Sequence, residues 1–140
     1  MKRPHYFVDA SAWIAYFLYG EPQHDQVKEL LVKIIKEGAT ISTSCDVIDE
    51  TVTRLITSTN LKLTKKFIEY IKEGIKIGAL VEFFTDEQIQ EEAFGLIVKF
   101  AEHQLSLTDS TSVVFFRRYK MKAIVTLDQD FVKVGIPTKP

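Results

Sequence analysis

The sequence predicts a three-layer α/β/α fold, a parallel sheet of four to five strands flanked by helices. Three observations carry this expectation. Short β-forming runs, at Tyr6–Val8, Ala39–Thr43, Ala79–Phe84 and Met121–Leu127, alternate with longer stretches of helical period. Such alternation calls for parallel strands, because each crossover helix returns the chain to the same end of the sheet, and helices then cover both faces. Two of the strand runs end directly on an acid, Asp9 and Asp128, at the carboxyl end of a strand where open α/β sheets hold their sites. Finally, no internal repeat, low-complexity tract or long linker divides the chain, so residues 1–140 read as one domain.

Each element has its own signal. Tyr6–Val8 form a buried strand, and Ser11 is expected to cap a helix begun by the apolar run Ala12–Tyr19. Gly20-Glu-Pro breaks the chain, with Pro22 suited to the first turn of the next helix. Val27, Leu30, Leu31, Ile34 and Ile35 recur at helical spacing, and Gly38 stops that helix. After the strand at Ala39–Thr43, Ser44 caps a helix whose apolar face is Val47, Ile48, Val52 and Leu55. Leu63, Phe67, Ile71 and Ile75 mark another helix, ended near Gly78. Beyond the strand Ala79–Phe84, Thr85-Asp-Glu-Gln opens a helix with acids in its first turn, as the helix dipole favours. Its buried side is Ile89, Ala93, Ile97 and Phe100, and Gly95 is read as a point of close packing. Leu105–Asp109 leads into a helix through Tyr119. Met121–Leu127 is a buried strand, and Val132–Ile136 is expected to be a last short one before Pro137 and Pro140.

Hydrophobic residues are 46% of the chain and charged residues 26%, which suits a folded domain rather than a disordered tail. No apolar run reaches a membrane-spanning length, and Asp9 breaks the only apolar run near the N-terminus, so a soluble cytoplasmic protein is expected. The one cysteine, Cys45, is expected to be a buried thiol. A net charge of −1 argues against a generic nucleic-acid binder. Removing Asp9, Glu50, Asp109, Asp128 and Asp130 from that total leaves +4, an acidic hole in a mildly basic surface.

The acids are the chemistry-bearing residues. A doubly wound order that sets the first strand beside Ala123–Leu127 brings Asp9 and Asp128 into one crevice. Asp109 opens the helix before that strand, where free N–H groups favour an anion. Glu50 follows the second strand on a helix, on the side away from Ile48 and Leu55, where it faces either a solvated cleft or bulk water. Carboxylates about 5 Å apart repel by roughly 3 kcal/mol per pair at an effective dielectric near 20. Four drawn together would exceed the margin of about 5–15 kcal/mol that holds a domain folded. Either some protonate or a cation binds. Oxygen-only donors without His or Cys select a hard ion, Mg²⁺ or Mn²⁺, one or two of them, of the kind that activates water and clamps phosphate oxygens.

Four segments together carry a family resemblance: Phe7-Val-Asp-Ala-Ser-Ala-Trp-Ile-Ala15, Asp49-Glu50-Thr51 with Leu55, Leu107-Thr-Asp-Ser110, and Val125-Thr-Leu-Asp-Gln-Asp-Phe131. Their order and spacing resemble the PIN-domain proteins, particularly the VapC-like toxin ribonucleases, over nearly the whole chain. The resemblance implies a strand order of 3-2-1-4-5 and a Mg²⁺- or Mn²⁺-dependent endoribonuclease. It implies that Asp9, Glu50, Asp109 and Asp128 are the catalytic and metal-holding quartet. Asp130 matches a frequent extra metal-holding acid, and Ser11 and Thr126 match hydroxyls that orient the first and last carboxylates. A homodimer and a small antitoxin partner are implied in the same way. The chain departs from the family at Val113-Val-Phe-Phe116, which is bulkier than the usual small-residue helix.

Plainer roles exist for the same residues. Asp9, Asp109 and Asp128 could be turn or cap acids, Asp130 part of a polar turn, and Glu50 a surface acid paired with Arg54. His5, His24 and His103 are scattered over different elements and are not expected to be ligands. Trp13, Tyr16, Phe17 and Tyr19 suit core or dimer contact, and Arg117, Arg118, Lys120 and Lys122 either a solvated face or a grip on phosphates. Against the nuclease stands a non-catalytic RNA- or protein-binding module on the same fold. A phosphoacceptor receiver is disfavoured because Asp9 stands without a second acid beside it. The glycine-rich and Ser-centred motifs of nucleotide-binding enzymes and serine hydrolases are missing.

Overall fold

A computed structural model describes residues 3–140. Five parallel strands form one sheet: β1 (His5–Val8), β2 (Thr40–Ser44), β3 (Leu80–Phe83), β4 (Ala123–Val125) and β5 (Thr138–Lys139), in the order β3-β2-β1-β4-β5. That is the expected 3-2-1-4-5 order. The helices are α1 (Ala10–Phe17), α2 (His24–Lys36), α3 (Cys45–Ser58), α4 (Leu61–Lys76), α5 (Glu87–Lys99), α6 (Leu107–Arg118) and the short α7 (Asp130–Lys133). α1 packs on α2 and α3, and α3 on α4, while α5 pairs with α6. Right-handed crossovers, leftward from β1 and rightward to β4, put these two groups on opposite faces of the sheet.

The register of β1 on β4 positions the site. Phe7 lies opposite Ile124 and Val8 opposite Val125, so the next residues, Asp9 and Thr126, emerge side by side at the carboxyl end of the sheet. The Asp9 N–H donates to the Val125 carbonyl at 3.0 Å and closes the ladder there. Phe7, Val8, Ile124 and Val125 are fully buried, as central strands covered on both faces must be.

Helix ends follow the local chemistry. The Ser44 hydroxyl accepts from the Val47 N–H and caps α3 as expected; Asn60, Asp86 and Ser106 cap α4, α5 and α6 in the same way. Gly38 and Gly78 take φ of 80° and 76° just past α2 and α4, a left-handed conformation that terminates a helix and favours glycine. On one face Trp13 packs edge-on against Phe67 and Tyr70, and its indole N–H donates to Thr43. On the other, the Phe115 ring stacks on Phe7 and Phe83, with centroids 6.4 and 5.2 Å away. The bulk of Val113–Phe116 is thereby explained: Val113, Val114 and Phe115 are buried in the core.

Several local expectations are corrected. Ser11 does not cap α1; the helix begins at Ala10 with Asp9 as the flanking residue, and the Ser11 hydroxyl turns to the site. Pro22 lies in the turn before α2, which starts two residues later at His24. Residues 132–136 are no strand: α7 occupies Asp130–Lys133, and β5 forms beyond Pro137. Of the apolar residues that suggested a strand, Val134 and Ile136 join Phe131 in burying one side of this short helix and its exit, while Val132 is exposed. A Cβ on Gly95 would meet nothing within 4 Å, so close packing does not account for that glycine. Cys45 is half-buried rather than buried.

Candidate metal centre

Three turns converge at the carboxyl ends of β1 and β4. Asp9 leaves β1 and Asp128 follows β4, while Asp109 sits in the first turn of α6, three residues after its Ser106 cap. Carboxylate oxygens of Asp109, Asp128 and Asp130 lie within 4.8 Å of one another, a spacing that one ion can bridge. Asp9 and Glu50 stand outside that set but within electrostatic reach, since both raise the pKa of Asp109.

Hydroxyls hold Asp9 in place. Thr126 Oγ1 donates to Asp9 Oδ2 at 2.9 Å and accepts the Asp128 N–H at 3.0 Å. One threonine therefore ties the first acid to the backbone of the last. Ser11 Oγ accepts the Leu127 N–H at 2.9 Å and lies 3.1 Å from Thr126 Oγ1 and 3.4 Å from Asp9 Oδ2. The Thr126 proton is committed to Asp9, so Ser11 donates within the pair it faces. Asp128 Oδ1 accepts the Asp130 N–H at 2.9 Å, which folds the two acids into one tight turn.

The second oxygen of Asp9 is different. Oδ1 is buried and has no hydrogen-bond partner among the described residues. Burial of an unpaired carboxylate oxygen is costly. Burial pushes the Asp9 carboxyl up to about 6, with the Thr126 hydroxyl and the nearby Ala10 N–H opposing the rise and Glu50 and Asp128 adding repulsion. Asp109 is pushed up to about 7, first by burial, then by Asp9 and Asp128, with the Ser106 hydroxyl opposing and Glu50 adding to the rise. Two protonatable acids near neutrality in one polar crevice suit a cation that replaces those protons.

The Glu50 alternatives are settled in part. Its side chain is half-buried and its charge reaches both Asp9 and Asp109, which favours the solvated cleft over bulk water. Among the described residues, no ion pair joins it to Arg54. Sequence reasoning missed two supports. Asp46 Oδ2 accepts from Thr85 and from Thr111, the latter at 3.2 Å, and cross-links α3 to α6 behind the acids. Ser106 accepts the Asp109 N–H at 3.0 Å, and the pattern Ser106-x-x-Asp109 was a legible capping signal. The histidines lie elsewhere: His5 bonds Ser42, His24 bonds the Ala15 carbonyl, and His103 lies by Glu102.

The fold and this crevice define a class: a doubly wound parallel sheet with Asp109, Asp128 and Asp130 gathered at its carboxyl end and Asp9 and Glu50 within electrostatic reach. Residues 6–137 match the PIN domain, and the chain belongs to the PIN domain family. Solved structures agree in fold. VapC20 of Mycobacterium tuberculosis, a Sarcin-Ricin loop cleaving toxin, superposes with a TM-score of 0.82 at 23% identity, over 96% of this chain and 99% of that one. FitAcB of Neisseria gonorrhoeae gives 0.66 at 17% identity, over 96% of each chain. VapBC2 of Rickettsia felis, bound to a DNA fragment from its promoter, gives 0.64 at 14% identity, over 96% of this chain and 97% of that one. No curated protein matches the chain in sequence.

Proposed function

We propose that the protein is a Mg²⁺- or Mn²⁺-dependent endoribonuclease that hydrolyses RNA phosphodiester bonds, acting in the cytoplasm as the toxin of a toxin–antitoxin pair. The observation that carries this is the buried, unpartnered Oδ1 of Asp9 beside the Asp109, Asp128 and Asp130 oxygens gathered within 4.8 Å. Asp9, Glu50, Asp109 and Asp128 would be the catalytic acids, and with Asp130 they would hold one or two ions. The donor set fits: every side chain offers oxygen, and none offers sulfur or imidazole, the preference of Mg²⁺ and Mn²⁺. Bound there, such an ion supplies positive charge to phosphoryl oxygens and a more acidic water.

The chain's own residues do the rest. Thr126, itself held by Ser11, fixes Asp9 Oδ2, which leaves Oδ1 as the oxygen free to ligate. The Asp128–Asp130 turn presents two carboxylates at one edge of the crevice. Glu50, half-buried on α3, stands where it could orient or deprotonate water. A small antitoxin and a second copy of the chain are the expected partners, and among the similar structures one is a toxin–antitoxin complex from Klebsiella pneumoniae.

The test is a divalent-metal titration of RNA cleavage by wild type and Asp9→Asn side by side. Cleavage should require metal and fall by at least a hundredfold in the variant. Equal rates for the two proteins would remove Asp9 from the mechanism. Absence of both cleavage and millimolar metal binding would favour a non-catalytic binding module.

A further inference from the structure

A second feature lies at the opposite end of the sheet. Arg3, Arg118, Lys120 and Lys122 border a pocket of about 620 Å³ with His5 and Tyr119, and among the described residues no carboxylate lines it. The Lys122 N–H donates to the His5 carbonyl, and the Thr40 N–H to the Pro4 carbonyl, so the pocket is anchored to the starts of β4, β1 and β2. Asp9 follows the other end of β1, and Asp109 opens the helix that Arg118 closes. At 1.5 Å per helical residue, the two features lie roughly 14 Å apart. The cations are therefore not part of the acidic crevice. Arg118 is paired with Glu92 at 2.9 Å, while Arg3, Lys120 and Lys122 are exposed.

The pocket also has a flat aromatic wall. The Tyr119 ring stacks on Phe83 with centroids 4.4 Å apart, and Phe83 stacks in turn on Phe115. One face is thus backed by a rigid aromatic column, and the side chain remains 46% exposed. Cations that track a backbone beside an aromatic platform are what single-stranded nucleic acid requires: phosphates meet the charges and a base stacks on the ring. An acidic peptide would use the charges and leave the ring without a role.

We propose that this pocket is a second binding site for single-stranded RNA, in which Arg3, Lys120 and Lys122 hold phosphates and Tyr119 stacks a base away from the point of cleavage. The proposal rests on the nuclease reading only for the identity of the polyanion. It gives the enzyme a hold on its substrate separate from the acids, so that binding survives where cleavage is abolished.

The experiment measures anisotropy of a labelled ten-nucleotide oligouridylate in EDTA, on an Asp9→Asn background that separates binding from chemistry. Adding Lys120→Glu and Lys122→Glu together should weaken binding by about tenfold or more and lower the salt slope by about 1.4, two phosphate contacts' worth for a single strand. Tyr119→Ala should weaken it by about tenfold while leaving the salt slope unchanged. Circular dichroism and melting of each variant check that the fold persists. Unchanged affinity and slope in the charge-reversed protein would overturn the proposal. So would polyglutamate displacing the RNA as well as unlabelled RNA does, with Tyr119→Ala silent. Loss of metal-dependent cleavage in wild type, with this binding intact, would instead count against the nuclease reading alone.

Discussion

Replacing Asp9 by Asn removes a charge that the folded protein holds at a cost. The Asp9 carboxyl stands at about 6 in the fold against an ordinary 3.8. Its folded value is raised, so the stability tied to it is full below pH 3.8 and is lost as pH rises through 6. Over that window the unfolded chain has released the proton and the native state still holds it. At 1.36 kcal/mol per pH unit, ionising Asp9 costs the metal-free protein about 3 kcal/mol by neutral pH. In the Asp9→Asn variant that cost is absent. The amide oxygen can still accept from Thr126, but the NH₂ group enters the buried position of Oδ1, which has no protein partner, at about 1–3 kcal/mol. Metal-free Asp9→Asn should therefore match or fall below wild type at pH 4.5 and gain on it by about 2 kcal/mol between pH 4.5 and pH 8. Urea unfolding in EDTA at several pH values measures this. His5, whose pKa burial lowers, opposes the trend in the raw curves but cancels in the difference. Saturating Mg²⁺ or Mn²⁺ should reverse the ranking, since a ligand at a hundred times its Kd stabilises the binding protein by about 2.7 kcal/mol. A difference between the two proteins that is flat from pH 4.5 to 8 would refute the account of Asp9 as a strained, metal-ready carboxylate.

Other consequences follow from the same geometry. Thr126→Val deletes the donor to Asp9 Oδ2 and the acceptor of the Asp128 N–H, so metal affinity by calorimetry should drop about 10–100-fold, with Thr126→Ser largely restoring it. Metal binding should release protons and strengthen from pH 5 to 8, because the raised carboxyls of Asp9 and Asp109 must ionise to ligate; binding that is equally tight at pH 5 and pH 8 would contradict this. Phe115→Ala empties the stack between Phe7 and Phe83 and should cost about 3–5 kcal/mol in urea unfolding. Ser106→Ala should cost about 1 kcal/mol by removing the cap of α6.

The sequence by itself determined the layers, the strand order through its family likeness, and the Ser44 cap of α3. These are short-range or additive signals: apolar period, a strand ending on an acid, a hydroxyl three residues before a free N–H. Tertiary structure alone decided how those residues meet. Ser11 has the chemistry of a cap, yet β1 and β4 run in register and bring Thr126 and the Leu127 N–H to it, so its hydroxyl serves the site instead. Glu50 was ambiguous on its helix because a wheel shows faces and not neighbours; the Asp46–Thr111 contact ties α3 to α6, and the Glu50 charge comes within reach of Asp9 and Asp109. Phe131, Val134 and Ile136 bury themselves from a one-turn helix and its exit, where short apolar runs fit either period. Lys120 and Lys122 lie 11 and 13 residues after Asp109 but at the opposite end of the sheet from it, because an intervening helix carries the chain from one end of the strands to the other. Distance along the chain does not reveal which end of a layer a residue reaches; the direction of the element between does.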